Sequence, residues 1–239
     1  YTFNSFKKFV FNKICYLVYP TFSSFESGST KSIKNTPSIG KNKYVFSIVS
    51  AFRKGASFNI RELPQLKILF LIAKYNPDID VVVAGASLKD ATSIFKTKKL
   101  PSNLHFLGYI SSDYILELLY KNAALVVVAP ILRALSNKFL EALYYGKPIL
   151  ANNNVTLLYP ELKHKKHLFI SNEYHKYPEV VRNILNNYAL LKKLSSGAKE
   201  AYRSLFSAKK CGLAMKHIIE LAASKKPYED HEFREIYTK

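Results

Sequence analysis

The stretch ALVVVAPILRALSNKFLEALYYGKPILA, residues 124–151, reads as strand, loop, helix, turn and strand in that order. Ala124 to Ala129 is a short, continuously apolar, Val-rich run, which suits a strand buried on both faces. From Asn137 to Tyr145 the apolar spacing becomes helical, and Gly146 supplies the residue that ends a helix. Lys147 to Ala151 is then a further strand. Two buried strands joined through a helix run parallel, because the crossover carries the chain back to the end where it began. The stretch therefore predicts an α/β domain with a parallel sheet.

The same alternation extends in both directions from Lys43 onward. Upstream, Tyr44 to Ser50 is a buried first strand and Leu63 to Tyr75 a helix with apolar residues at 66, 69, 70 and 73. Pro64 is tolerated there because it falls in the first turn. Ile79 to Ala84 is a strand ending in Gly85, Leu88 to Lys96 a helix, and Leu104 to Leu107 a strand ending in Gly108. Ser111 is placed to cap a helix over Tyr114 to Tyr120. Downstream, Leu168 to Ser171 is a short sixth strand, followed by helices over Pro178 to Asn187, Leu190 to Phe206 and Ala208 to Ala223. The expected fold is a doubly wound, mainly parallel, Rossmann-like sheet with helices on both faces and a helical C-terminal extension. It occupies residues 43–224, with a strand-like ICYLVYP and a Ser/Lys/Thr-rich linker within 1–42 and a charged, aromatic tail at 225–239. In such sheets ligands bind beyond the carboxyl ends of the strands, which directs attention to 51–57, 85–87, 108–111 and 130–137.

Composition narrows the partners. Thirty-six Lys and Arg against seventeen Asp and Glu give a formal charge of +19, which attracts nucleotides, nucleic acid, anionic lipid or phosphorylated substrates. A general Lys bias produces the same sum, and the cations are scattered in small clusters rather than one block. Cys15 and Cys211 lie far apart without CxxC or zinc-type spacing, so a reducing, cytosolic setting is expected. No apolar run is long enough to span a bilayer, which leaves contact with a membrane surface as the only membrane role. His164 and His167 have i, i+3 spacing, but no further ligand completes a metal site, and neither metal nor cofactor is expected. No G-x-S-x-G, P-loop, H-E-x-x-H or G-x-G-x-x-G is present, which argues against hydrolase, ATPase, zinc-protease and dehydrogenase chemistry.

The run K-F-L-E-A-L-Y-Y-G-K-P-I-L-A at Lys138 to Ala151 resembles the signature of the family-four retaining glycosyltransferases with the GT-B fold, roughly K-x-L-E-A-L/M-x-x-G-K/V-P-V/I-V/L-A. FRKG at 52–55, VVVAG at 81–85, NLHFLGYIS at 103–111 and the strand ending at Pro130 fall in that family's order. The resemblance covers about residues 43–222, the donor-binding second domain of such an enzyme, and CYLVYP resembles the last strand of the first, acceptor-binding domain. It implies a C-terminal fragment whose acceptor half lies upstream.

What the resemblance implies for single residues follows. Glu141 takes the place of the family's second motif glutamate, whose carboxylate accepts hydrogen bonds from the ribose hydroxyls. Lys138, one turn earlier, faces the diphosphate together with the backbone N–H groups of Ser136 to Lys138, Asn137 among them. A fixed cation there stabilises negative charge on the leaving nucleoside diphosphate without a metal. Arg53 and Lys54 resemble the basic pair on the opposite wall, although the family writes G-R-x(n)-K-G where this chain has S-A-F-R-K-G; either of the two suits the phosphate. Gly108, Tyr109 and Ile110 resemble the loop bordering the base, and Gly85 closes the strand beside it. Arg133 stands where many members carry the first glutamate of an E-x7-E pair that contacts the sugar.

The expected activity is hexosyl transfer from a nucleoside diphosphate sugar to a glycan or lipid-linked acceptor, retaining and metal-independent, with the fragment inactive on its own. Peripheral contact with anionic membrane is compatible with that activity, and nucleic acid is not an expected partner. Two other classes compete with this reading: a catalytically silent nucleotide-binding module, motivated by Arg133 and S-A-F-R-K-G, and a basic module for nucleic acid or a membrane surface, motivated by charge. Against the second, the aromatics fall mainly at core periods and no RNP-type motif occurs.

Overall fold

The computed structural model describes residues 43–49, 63–95, 99–129 and 137–224. The strand expected within 14–20, the linker and the tail lie outside the described residues, as do Arg53, Lys54, Arg133 and Ser136. Among the described residues six strands form one sheet: β1 (Tyr44–Ile48), β2 (Val81–Ala84), β3 (Leu104–Gly108), β4 (Ala123–Val128), β5 (Ile149–Ala151) and β6 (Phe169–Ile170). Every pairing is parallel and the order is β3-β2-β1-β4-β5-β6, the doubly wound arrangement. Helices α1 (Leu63–Tyr75), α2 (Leu88–Phe95), α3 (Asp113–Asn122), α4 (Asn137–Tyr144) and a short α5 (Asn153–Leu158) intervene. After β6 come a 3-10 turn (Tyr174–Lys176), α6 (Tyr177–Asn186), α7 (Tyr188–Ala201), a single π turn (Tyr202–Phe206) and α8 (Ala208–Ser224).

The continuous apolar strands sort by the period of two. Tyr44, Phe46, Val82, Val126, Val128 and Ile149 point to one core with α3, α4, the π turn and α8. Val45, Val81, Val83, Leu125, Val127 and Leu150 point to the other with α1 and α6. Both faces of the central strands are thus dry, which is why their sequences do not alternate with polar residues. The edge strands differ: β3 is half-buried along most of its length and β6 has two half-buried residues, short enough to offer little template for further pairing.

Where prediction and structure differ, local chemistry explains the difference. In α1 the buried face is Gln65, Leu66, Ile68, Leu69, Ile72 and Ala73, rotated slightly from the expected stripe so that Phe70 is only partly covered. Ser112 rather than Ser111 is the cap residue of α3, and its side chain makes no capping bond. The long helix expected over 190–206 is α7 followed by the π turn, where Ser204 Oγ donates to the Glu200 carbonyl at 2.9 Å and Leu205 and Phe206 both become buried. Helix α5 has no counterpart in the sequence reading because Asn152-Asn153-Asn154 reads as loop; Asn152, 3% exposed, caps it by accepting from the Asn154 N–H at 3.2 Å.

The Gly146-Lys147-Pro148 turn has a clear physical role. Gly146 has φ 61°, the Gly146 N–H donates to the Leu143 carbonyl and the Lys147 N–H to the Ala142 carbonyl, each at 2.9 Å. These two bonds are the Schellman closure of α4. Lys147 then sends its ammonium to the end of α3, donating to the carbonyls of Lys121 at 2.5 Å and Ala123 at 3.1 Å. Burial holds its pKa below the ordinary lysine value, with repulsion from Lys199 and Lys43 acting the same way.

Candidate functional site

Strand order reverses between β1 and β4, the position at which doubly wound sheets place their ligand crevice. A buried polar network lies directly beneath it. Ser47 Oγ donates to the Val127 carbonyl at 2.8 Å, and Gln65 Nε2 donates to Ser47 Oγ at 2.6 Å and to the Ile48 carbonyl at 3.1 Å. The Ala129 N–H donates in turn to Gln65 Oε1 at 3.4 Å. Gln65, 2% exposed, thereby ties α1 to the ends of both strands from which segments 50–62 and 130–136 depart. Ser47 and Gln65 are not among the site residues expected from the sequence, although a Ser inside YVFSIV and a Gln on a buried helical face are the signals that mark them. Gln65→Leu should cost about 1–3 kcal/mol, since it strands buried groups on two strands; an unchanged urea midpoint would refute the bridging role.

The neighbouring strands end on glycines that must adopt positive φ. Gly85 has φ 92° and Gly108 φ 67°. The Gly85 N–H donates to the Gly108 carbonyl at 2.7 Å, and the Gly108 N–H to the Ala86 carbonyl at 2.8 Å. These bonds fasten the ends of β2 and β3 together and project the next residues over the rim. Tyr109 is 76% exposed there, while Ile110 folds back onto the core that holds Phe139 and Leu140 of α4.

Helix α4 begins at Asn137, aiming the positive end of its dipole toward the same rim. Lys138 and Glu141 sit one turn apart, both half-buried, with Phe139, Leu140, Ala142 and Leu143 buried on the opposite side. Burial raises the pKa of Glu141 above the usual carboxylate range; a hydrogen bond with Tyr120 and the charge of Lys138 oppose that rise, and Asp113 at the start of α3 adds to it. Tyr120 is fully buried, with its hydroxyl 3.2 Å from the Lys138 carbonyl oxygen. The structure therefore brings Lys138 and Glu141 together beside Tyr120 and Asp113, neither of which the sequence reading singled out. Gly85, Gly108, Tyr109 and Ile110 form a second group, joined to the first through the shared core under Ile110 and α4.

Three of the histidines, His105, His164 and His167, hold local structure. His167 Nδ1 accepts from the Lys163 N–H at 3.1 Å and His164 Nδ1 from the Ile170 N–H at 2.9 Å, bonds that require the neutral ring. Burial lowers both pKa values, in keeping with that requirement. His105 in β3 instead meets Asp80 at 2.8 Å. Among the described residues no helix is long and apolar enough to cross a membrane.

Comparison with known proteins converges on one family. Residues 29–201 match the model of the family described as Glycosyl transferases group 1. Among solved structures, the C-terminal domain of a glycosyl transferase group 1 family protein, LpcC, from Francisella tularensis has a TM-score of 0.54 at 16% identity, over 69% of this chain and 87% of that domain. A variant of S. aureus TarM in complex with fondaparinux, alpha-GlcNAc-glycerol and UDP has a TM-score of 0.62 at 14% identity, over 87% of this chain and 40% of that one. HepE of Anabaena in complex with UDP and glucose gives 0.57 at 17% identity, over 75% of this chain and 48% of that one. The chain thus spans nearly all of the isolated C-terminal domain but less than half of the other two proteins. No curated protein matches it in sequence. Since the family match takes in well over half of its length, the chain belongs to the glycosyl transferases group 1 family.

Proposed function

We propose that this chain is the donor-binding half of a glycosyltransferase that moves a sugar from a nucleoside diphosphate sugar to a glycan or lipid-linked acceptor. The observation that supports it best is the pairing of Lys138 with Glu141 in the first turns of α4, at the carboxyl rim of a sheet whose order reverses there. Glu141 accepts from the ribose hydroxyls. Lys138, with the amino end of α4 at Ser136 and Asn137, holds the diphosphate and stabilises the charge that grows on it as the glycosidic bond breaks. Arg53 and Lys54, from the segment that leaves β1, supply the facing cations, Arg133 borders the sugar, and Gly85, Gly108, Tyr109 and Ile110 line the base. Retention and independence from metal belong to the same proposal. The presence of UDP in the TarM and HepE structures makes UDP the first nucleotide to try.

Calorimetry with UDP and other nucleoside diphosphates tests the reading. Wild type should bind, and Glu141→Ala should weaken binding roughly 10- to 100-fold, the worth of hydrogen bonds to a charged acceptor. No binding by wild type, or equal binding by the variant, sinks the assignment. Sugar transfer should require the acceptor-binding half and be absent from the 239-residue chain alone.

A further inference from the structure

Tyr120 lies in α3, outside the run that defines the nucleotide site, yet it is the residue of α3 that reaches both functional positions of α4. Its ring is fixed by the core: the Phe46 ring meets it edge-on at 5.0 Å and the Tyr145 ring stacks on it at 5.4 Å. With the ring held there, the hydroxyl has one proton and two acceptors within reach, the Lys138 carbonyl oxygen at 3.2 Å and the Glu141 carboxyl. The Lys138 carbonyl belongs to the first turn of α4, whose amide groups the proposed function assigns to the diphosphate, and it keeps a lone pair for Tyr120 beside its helical bond. We infer that the Tyr120 hydroxyl is a positioning group for nucleotide recognition, fixing the first turn of α4 and the Glu141 carboxylate in one geometry against α3. This rests on the nucleotide-binding reading of α4.

The chemistry of the acceptors explains why a phenol suits the position. A carboxylate this deeply placed must keep its charge to accept two ribose hydroxyls, while desolvation works against the charge. Asp113 and Tyr145 also face the site, and the Asp113 charge pushes the same way as burial. Among the described residues, Lys138 on α4 and the Tyr120 hydroxyl on α3 are the two groups that favour the ionised form. Lys138 has a phosphate to neutralise once nucleotide arrives, whereas the Tyr120 hydroxyl, shared between the Glu141 carboxyl and the Lys138 carbonyl, has no phosphate to meet. The pKa of Tyr120 itself is raised by burial, so the phenol stays protonated and able to donate.

Tyr120→Phe removes the hydroxyl and leaves the ring contacts in place. For the 239-residue chain, UDP affinity should fall roughly 5- to 10-fold at neutral pH, less than the loss of a direct hydrogen bond to a charged group because the hydroxyl acts on the nucleotide through Glu141 and the first turn of α4. The ratio of variant to wild-type affinity should widen on acidification, because Glu141 protonates at higher pH without its donor; titration of the UDP phosphate is common to both proteins and cancels. An NMR titration of the Glu141 carboxyl carbon in the nucleotide-free chain should show its midpoint moved upward in the variant. Wild type that binds UDP, beside a variant with affinity within twofold and an unmoved carboxyl titration, overturns this inference alone. Wild type that binds neither UDP nor another nucleoside diphosphate overturns the nucleotide reading and the inference together; if a different diphosphate binds, the same comparison of variant with wild type is made with it.

Discussion

Replacing Gly197 with Ala should lower the melting temperature by several degrees, although Gly→Ala inside a helix ordinarily stabilises by about 1 kcal/mol. The reason is the close approach of α7 to the segment before β6. An added methyl at Gly197 meets the carbonyl oxygen and carbon of Lys166, with the His167 Cα at 3.2 Å. These are backbone atoms and cannot rotate away. The segment is also held from within: the N–H groups of Lys166 and His167 both reach the Lys163 carbonyl, and the Lys165 N–H donates to the Leu168 carbonyl at 2.8 Å. Separation of α7 from this segment uncovers Leu194, Ala198 and Ala201, all fully buried. Overpacking of this kind costs roughly 1–3 kcal/mol or more, which outweighs the helix-propensity gain. Thermal unfolding followed by circular dichroism decides it, and a variant as stable as wild type would show that the contact yields.

Phe139→Ala should have a larger effect still, about 3–5 kcal/mol out of a total stability of about 5–15. Phe139 is 1% exposed, stacked on Tyr159 at 5.7 Å and meeting the edge of Phe206 at 6.4 Å, while Tyr159 and Phe206 meet each other at 5.0 Å. The three rings join α4, the residue after α5, and the π turn, so truncation of one leaves a cavity that two rigid rings cannot fill. Phe139 also stands between Lys138 and Glu141 in sequence and seats the helix that carries both. Denaturant unfolding should show a lower midpoint with unchanged slope, and UDP binding by the residual folded protein should weaken as well. A midpoint near that of wild type would mean that α4 is anchored by something other than this cluster.

Most of the fold was legible because its strands are buried on both faces. YVF, VVV and LVVV leave little room for a helical or half-exposed reading, and Gly85, Gly108 and Gly146 mark three of the strand and helix ends by conformations that other residues adopt at a cost. The helical extension was harder. The π turn at Tyr202–Phe206 keeps a helical pattern and shifts its phase by one residue, and α5 is held by a cap and by tertiary contacts rather than by propensity. At the candidate site Lys138 and Glu141, within one helix, are marked by the likeness of K-F-L-E-A-L-Y-Y-G-K-P to a family signature, since a Lys and a Glu one turn apart are commonplace by themselves. Ser47 and Gln65 leave a trace, a polar residue at a buried position, whereas Tyr120 and Asp113 leave none, since what distinguishes them is a partner brought close by the fold from another element.

The position of β1 at the middle of the sheet has a consequence for biosynthesis. Its hydrogen bonds with β2 are available early, but Val127, to whose carbonyl Ser47 donates, lies 80 residues later in the chain. At the usual ribosomal pace of ~5–20 residues per second, β4 follows β1 out of the exit tunnel after roughly 4–16 s. Throughout that interval one edge of an apolar strand has no neighbour, an open template for pairing with other nascent chains. Translation speed between Ile48 and Ala123 therefore sets how long the growing polypeptide is vulnerable, and binding of a chaperone to this intermediate would be strongest before β4 emerges.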